Sequence, residues 1–131
     1  MNALWTKARE AAQDARTLLN DGRFDAAANR AYYAMFNAAR TLLRLRGVDA
    51  KAVKKHATVL RMFSFEFVGK GEFDGDDGRA LRLAADARAV ADYGDQVVSR
   101  EKAAETVASM DKFMQTAERL VRTLETGGEN P

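Results

Sequence analysis

Three stretches of this sequence hold side chains whose types and spacing could do chemistry. The single histidine, His56, follows two lysines in "KKHATVL", and imidazole is the side chain best suited to moving a proton near neutral pH. Downstream, "RAVADYG" sets Arg88 one helical turn before Asp92, with Tyr93 next. Arginine and aspartate at that spacing pair on a helix, worth roughly a few tenths of a kcal/mol. Guanidinium, carboxylate and phenol gathered at a helix end can also hold an anion or a phosphate ester.

The third stretch, "NRAYYAMFNAARTLL" at residues 29–43, places two adjacent tyrosines and two arginines in an alanine-rich run. Projected at about 100° per residue, Phe24, Ala28, Ala31, Tyr32, Met35, Ala39, Leu42 and Leu43 share one apolar face. Tyr32 is therefore expected in the core. Asn29, Tyr33, Asn37, Arg40 and Arg44 fall on the opposite arc, with Arg30 at its edge.

That polar arc has two readings. It is a solvated face, with cations near a helix C-terminus where the macrodipole favours them, or a surface for phosphate and nucleobase, since arginine forks onto phosphate and tyrosine offers a ring to stack on. His56 has two as well. It lies in register with Val53, Leu60, Phe63 and Phe67, as a core-edge histidine with one satisfied nitrogen would, and it is also a candidate proton-transfer group.

These residues need elements to position them, and composition limits the choice. A chain of 131 residues, 47% hydrophobic, is the size of one domain around one core. A formal charge of +2 is too small to act through its total, so a basic site must arise from how charge is distributed. The absence of cysteine excludes disulfide and thiol chemistry. One histidine and no cysteine argue against a metal centre, and the "DGDDG" loop has Ala85 where a calcium loop starting at Asp74 needs an acid. Neither metal nor cofactor is expected. No apolar run approaches the ~18 residues of a membrane span, and the polar-interrupted start "MNALWTKAREAAQ" is unlike a leader, so the expected location is cytoplasmic.

The periodicity predicts five helical segments: residues 3–20, 24–46, 51–68, 79–93 and 99–126. "NDG" at 20–22 and Gly47 end the first two, "EFDGDDG" reads as an acidic loop, and Ser99 is an N-cap with Glu101 in the first turn. In the last segment Ala103, Val107, Met110, Met114, Ala117, Val121 and Leu124 step by four and three, the seam of a packed bundle helix or of a coiled coil with another chain. The expectation is an all-α, up-and-down bundle of four to five helices forming a single domain over 1–126, with 127–131 as a flexible tail.

Taken in order, "NRAYYAMFNAARTLL", then "KKHATVL" with "FVGKGEF", and then "RAVADYG" resemble one subfamily of the HEPN domains, over roughly residues 8 to 120. The resemblance implies a small helical bundle that forms a homodimer around a shared cleft. It also implies the role of toxin in a toxin–antitoxin pair, beside a small nucleotidyltransferase, with RNA or a nucleotide as ligand. Active members of the family look like metal-independent ribonucleases that use an arginine followed shortly by a histidine. An imidazole can take the proton of a ribose 2′-hydroxyl while a guanidinium stabilises charge on the attacked phosphate.

Here Arg88 matches the arginine, and Tyr93 stands where the histidine would be. A phenol with a pKa near ~10 is a poor base at neutral pH. Three outcomes follow: His56 supplies the imidazole from the neighbouring helix; the site binds nucleotide or RNA without cleaving it; or Tyr93 accepts an adenylyl group from the partner, placing negative charge beside Arg88. The candidate catalytic residues are Arg88, His56, Asp92 and Tyr93. Tyr33, Asn37, Arg40, Arg44 and Arg30 are the candidate substrate contacts. A noncatalytic nucleotide- or RNA-binding adaptor is the alternative to the toxin.

Overall fold

In the computed structural model, which describes residues 2–49 and 55–127, five α-helices follow in chain order. They are α1 (Ala3–Asn20), α2 (Phe24–Leu45), α3 (His56–Phe63), α4 (Gly75–Tyr93) and α5 (Arg100–Gly127), and a π-helical turn, Ser64–Val68, extends α3. No strand occurs among the described residues. The expected start of the third segment at Lys51, and Val53 in its register, lie outside the described residues, as does the expected tail beyond Gly127.

Local chemistry sets the ends. The Asn2 side chain accepts from the backbone N–H groups of Leu4 and Trp5, at 2.9 and 3.2 Å, which satisfies two of the donors a helix start leaves open. Gly22 and Gly47 hold φ of 76° and 90°, a region that costs other residues, and there the chain turns out of α1 and α2. Ser99 Oγ accepts from Lys102 N–H at 3.1 Å, the cap expected for α5.

Two boundaries differ from expectation. The segment expected over 51–68 is not helical at Lys55, which is extended at φ −86° and ψ 131°, so α3 opens at His56. The stretch "DGDDG" is not a loop, because α4 begins at Gly75, with the Asp74 side chain accepting from Asp77 N–H at 2.8 Å. Two glycines and three acids resemble a turn, yet carboxylates suit the positive end of a helix. Gly78 is required there, since a Cβ would sit 2.9 Å from Val68 Cγ2.

Helix α2 is the axis of the bundle and packs against each of the other four. Toward α1 the contact is built from alanine: Ala8, Ala11, Ala12 and Ala15 are buried against Ala27, Ala31, Ala34 and Ala38, letting the two helices approach closely. The α5 seam packs within the chain, with Ala103, Val107, Met110, Met114, Ala117 and Val121 buried and Leu124 against them. Phe113 also turns inward and meets Phe63 and Phe73 at ring-centre distances of 5.4 and 4.9 Å, and Phe67 joins the cluster through Phe63 and Phe73 at 5.4 and 6.3 Å.

A smaller cluster of Ala28, Ala87, Val98 and Ala103 joins α2, α4 and α5. Beside it, Asp25 accepts from Val98 N–H at 2.7 Å and ties the link after α4 to the start of α2. The last turns of α4 are thereby laid along the first half of α2. Among the described residues no helix is long and apolar enough to cross a membrane.

Candidate functional site

Three elements converge over the middle of α2. That helix contributes Tyr32, Tyr33, Phe36 and Arg40; α3 contributes its first residue, His56; and α4 contributes Arg88, Asp92 and Tyr93 from its last turns. Tyr32 is 1% exposed, as its place on the apolar face requires. Its hydroxyl nevertheless reaches the edge of the core, 2.7 Å from His56 Nδ1. The His56 ring stacks on Phe36 with centres 4.2 Å apart and planes 21° off parallel, and stands edge-on to Tyr33 at 5.8 Å.

Arg88 sits over this aromatic floor. Its guanidinium carbon lies 5.7 Å from the Tyr32 ring centre, 5.4 Å from Tyr33 and 5.5 Å from Tyr93, so three phenol rings surround one cation. A terminal nitrogen donates to the Tyr33 hydroxyl at 2.9 Å. Its Nε lies 2.9 Å from Asp92 Oδ2 as an ion pair, but off the angle of a hydrogen bond, so Nε is buried without a hydrogen-bond partner. Asp92 is held in turn by Asn29 Nδ2, at 3.1 and 3.2 Å, and Arg30 donates twice to the Asn29 carbonyl oxygen. The chain Arg30, Asn29, Asp92, Arg88, Tyr33 is thus a continuous polar network across α2 and α4.

Electrostatics follow from the burial. The Tyr32 phenol is pushed up to about 12 by burial, against the pull of Arg88 and with a push from Tyr33. His56 is held below the usual imidazole value by burial and then by the charges of Arg88 and Arg40, so its ring is neutral at pH 7. Burial lowers Arg40 too, helped by the like charge of Arg44. Burial disfavours the charge on Arg88, but the phenols of Tyr33 and Tyr93 with Asp92 outweigh it and hold the guanidinium above its usual range.

The sequence candidates divide on this map. Arg88, Asp92, Tyr93, His56, Tyr33 and Arg30 come together. Arg40 joins them through the Phe36 ring, 5.7 Å from its guanidinium carbon, and its buried Nε has no hydrogen-bond partner. Arg44 lies one turn further on, exposed, and reaches the cluster through its charge. Asn37 is half-buried on α2 between Tyr33 and Arg40. The polar arc is met by the end of α4 at Asn29 and Tyr33 and by the start of α3 at Tyr33, while Arg44 at its far end is exposed.

Phe36 and the Tyr32 hydroxyl are the parts that spacing did not single out. The one available signal was the four-residue step from Tyr32 to Phe36, which stacks their rings at 5.6 Å. Among the described residues no group of three or more His, Cys, Asp or Glu is placed to hold a metal ion. A groove of about 700 Å³, lined by Trp5, Arg9, Gln13, Arg16, Asp111 and Met114, lies between α1 and α5. Arg16 and Asp111 pair across it at 2.8 Å, and it contains none of the stacked rings or converging cations.

A family model described as the HEPN domain matches residues 1–120. A protein of Thermotoga maritima named "UPF0332 protein" is 32% identical over 119 residues, covering 90% of this chain and 88% of its own. Two proteins of Methanocaldococcus jannaschii carry the name "Putative toxin". One is 28% identical over 124 residues, covering 95% of this chain and 90% of its own. The other is 30% identical over 105 residues, covering 80% and 69%. With a helical bundle matched across nearly its whole length, this chain belongs to the HEPN domain family.

Proposed function

We propose that this HEPN protein is the toxin-like member of a toxin–antitoxin pair and acts on RNA at the Arg88–His56 cluster. One observation carries the reading: guanidiniums from two helices and a neutral imidazole from a third meet over a tyrosine pair. Arginine charge and flat rings are what a phosphate and its attached base require. The relatives named as toxins support the toxin half.

Metal-independent cleavage is the first form that such action takes. It needs a group to accept the ribose 2′-hydroxyl proton and a cation at the attacked phosphate, roles for which His56 and Arg88 are the candidates. The second form is a noncatalytic RNA- or nucleotide-binding module. Tyr93 favours it, standing where the family's nuclease histidine would be, as does the engagement of Arg88 by Asp92 and Tyr33.

Two partners complete the reading. A second copy of the chain would cover the end of α4, where Tyr93 is 78% and Val97 80% exposed beside the cluster. A cognate nucleotidyltransferase would find the Tyr93 hydroxyl accessible. Transfer of AMP from ATP to that oxygen, with pyrophosphate leaving, would set a negative phosphate against Arg88 and close the site.

The test is incubation of purified protein with a mixed RNA pool in EDTA, comparing wild type with Arg88→Ala and His56→Ala. RNA retained by wild type and released by Arg88→Ala supports the reading. Cyclic phosphate ends produced by wild type alone would identify the nuclease form. RNA neither retained nor cut by wild type would overturn it.

A further inference from the structure

Tyr32 is a core residue with a polar atom to satisfy, and its surroundings leave little choice of how. Among the described residues the only hydrogen-bond partner of its hydroxyl is His56 Nδ1, at 2.7 Å. That distance is typical of a hydroxyl donor and short for a ring N–H donor. If Nδ1 carried the proton instead, the phenolic O–H would be left in the core without an acceptor, and buried donors are rarely left so. The Tyr32 hydroxyl therefore donates, and Nδ1 accepts.

The remaining proton of a neutral imidazole then has one place to go. It lies on Nε2, which has no hydrogen-bond partner among the described residues. The ring cannot pivot away, because it is stacked on Phe36 at 4.2 Å and on Tyr32 at 5.5 Å and held edge-on by Tyr33. The charged and titratable groups facing it are Arg88 of α4 and Arg40, Tyr32 and Tyr33 of α2. Both guanidiniums oppose a third positive charge between them, which keeps the ring neutral.

We propose that His56 meets an RNA phosphate as a neutral hydrogen-bond donor through Nε2–H, in a tautomer fixed by the Tyr32 hydroxyl. This deepens the reading of the cluster as an RNA site and rests on it for the identity of the ligand. An anion between Arg88 and Arg40 receives two charged donors and one neutral one, the way a neutral imidazole serves as an electrophile when cations or helix ends depress its basicity. Nε2 in this tautomer has no lone pair for a 2′-hydroxyl proton. His56 therefore binds the phosphodiester and is not the base of a cleavage reaction, which selects the noncatalytic form of the proposed function over the nuclease form. Tyr32 is a positioning residue, acting through His56.

A single histidine makes the test direct. Nitrogen-15 NMR of the free wild-type protein at neutral pH reports the tautomer without any RNA. Protonated Nε2 is the expected result, with a mixture of both tautomers in Tyr32→Phe, whose ring preserves the packing. Protonated Nδ1 in wild type, or no change in Tyr32→Phe, would overturn the proposal.

The ligand half is read with a single-stranded 2′-O-methyl oligonucleotide, which cannot be cleaved through a 2′-oxygen. His56→Gln, whose amide N–H can stand in for Nε2–H, is expected to bind within about twofold of wild type, and His56→Ala roughly tenfold more weakly. Equal loss in both variants would overturn the donor role, as would RNA cleavage that depends on His56. Protonated Nε2 with no oligonucleotide binding by wild type would overturn the RNA reading and the phosphate half of this one, and leave the Tyr32–His56 arrangement standing.

Discussion

Two aromatic clusters are packed into this bundle. Phe63, Phe67, Phe73 and Phe113 meet ring to ring and all four are essentially buried, with one cation, Arg46, lying 4.6 Å over the Phe67 ring and paired with Glu72. Tyr32, Tyr33, Phe36 and His56 meet at similar distances, but their edges carry two hydroxyls and an imidazole, and arginines from two helices lie against their faces. Ring packing is common to both. The difference lies at the ring edges: the first cluster has no polar atom of its own and one carboxylate-paired cation at its margin, whereas the second carries two hydroxyls, an imidazole and two guanidiniums whose Nε atoms are buried without a hydrogen-bond partner. Buried polar groups of this kind are what makes the second cluster the candidate site.

The comparison can be broken most severely at the phenylalanines. Phe63→Ala should destabilise the fold by about 3–5 kcal/mol, from lost transfer energy and the cavity left behind. Urea denaturation reads the loss, and the fraction that stays folded should bind RNA as wild type does. Next in size, Arg40→Gln should leave the melting temperature nearly unchanged. It should weaken binding to a single-stranded oligonucleotide and reduce the slope of log affinity against log salt by about 0.7, the share of one phosphate contact. An unchanged slope would place Arg40 outside the contact surface.

Smaller effects sharpen the boundary between the clusters. Tyr32→Phe removes one hydroxyl and keeps the ring, so it should cost about 1 kcal/mol of stability in thermal or urea unfolding. The pH dependence of stability has a sign set by His56. Its imidazole is depressed in the folded chain, so below the ordinary value of about 6.5 the unfolded chain takes up the proton first. That contribution is complete above about pH 6.5 and is lost as the pH falls toward the folded value. Unfolding of wild type and His56→Gln between pH 5 and 8 should show the slope in the first and a flatter line in the second.

The contrast also explains what was readable beforehand. Periodicity located α1, α2 and α5 closely, and it placed Tyr32 inward and the α5 seam in the core. These are facts of one helix at a time, and a single helix writes them into spacing. The start of α4 was misread because glycine and aspartate signal turns when nothing else is known. The helix starts there on the Asp74 side-chain cap, and the lack of a side chain at Gly78 lets Val68 pack closely against it, a tertiary contact. The π-helical turn at Ser64–Val68 had no signature in the spacing.

Candidate residues were legible as types and illegible as an arrangement. Arg88 and Asp92, four apart, could be paired on paper, and they pair at 2.9 Å. His56 could be read as a core-edge histidine with one satisfied nitrogen, but its partner is 24 residues away on another helix. Asn29 reaching Asp92 across 63 residues was equally out of view. Only the packing of α3 and α4 onto α2 turns three separate motifs into one surface.

The most direct test of that surface as an RNA site is binding of a noncleavable single-stranded oligonucleotide to wild type and Arg88→Ala, with the melting temperature of each measured alongside. Removing a guanidinium aimed at a phosphate should weaken binding by roughly 10²-fold or more, while the bundle, built elsewhere, stays folded. Arg88→Ala that binds as tightly as wild type would contradict the account.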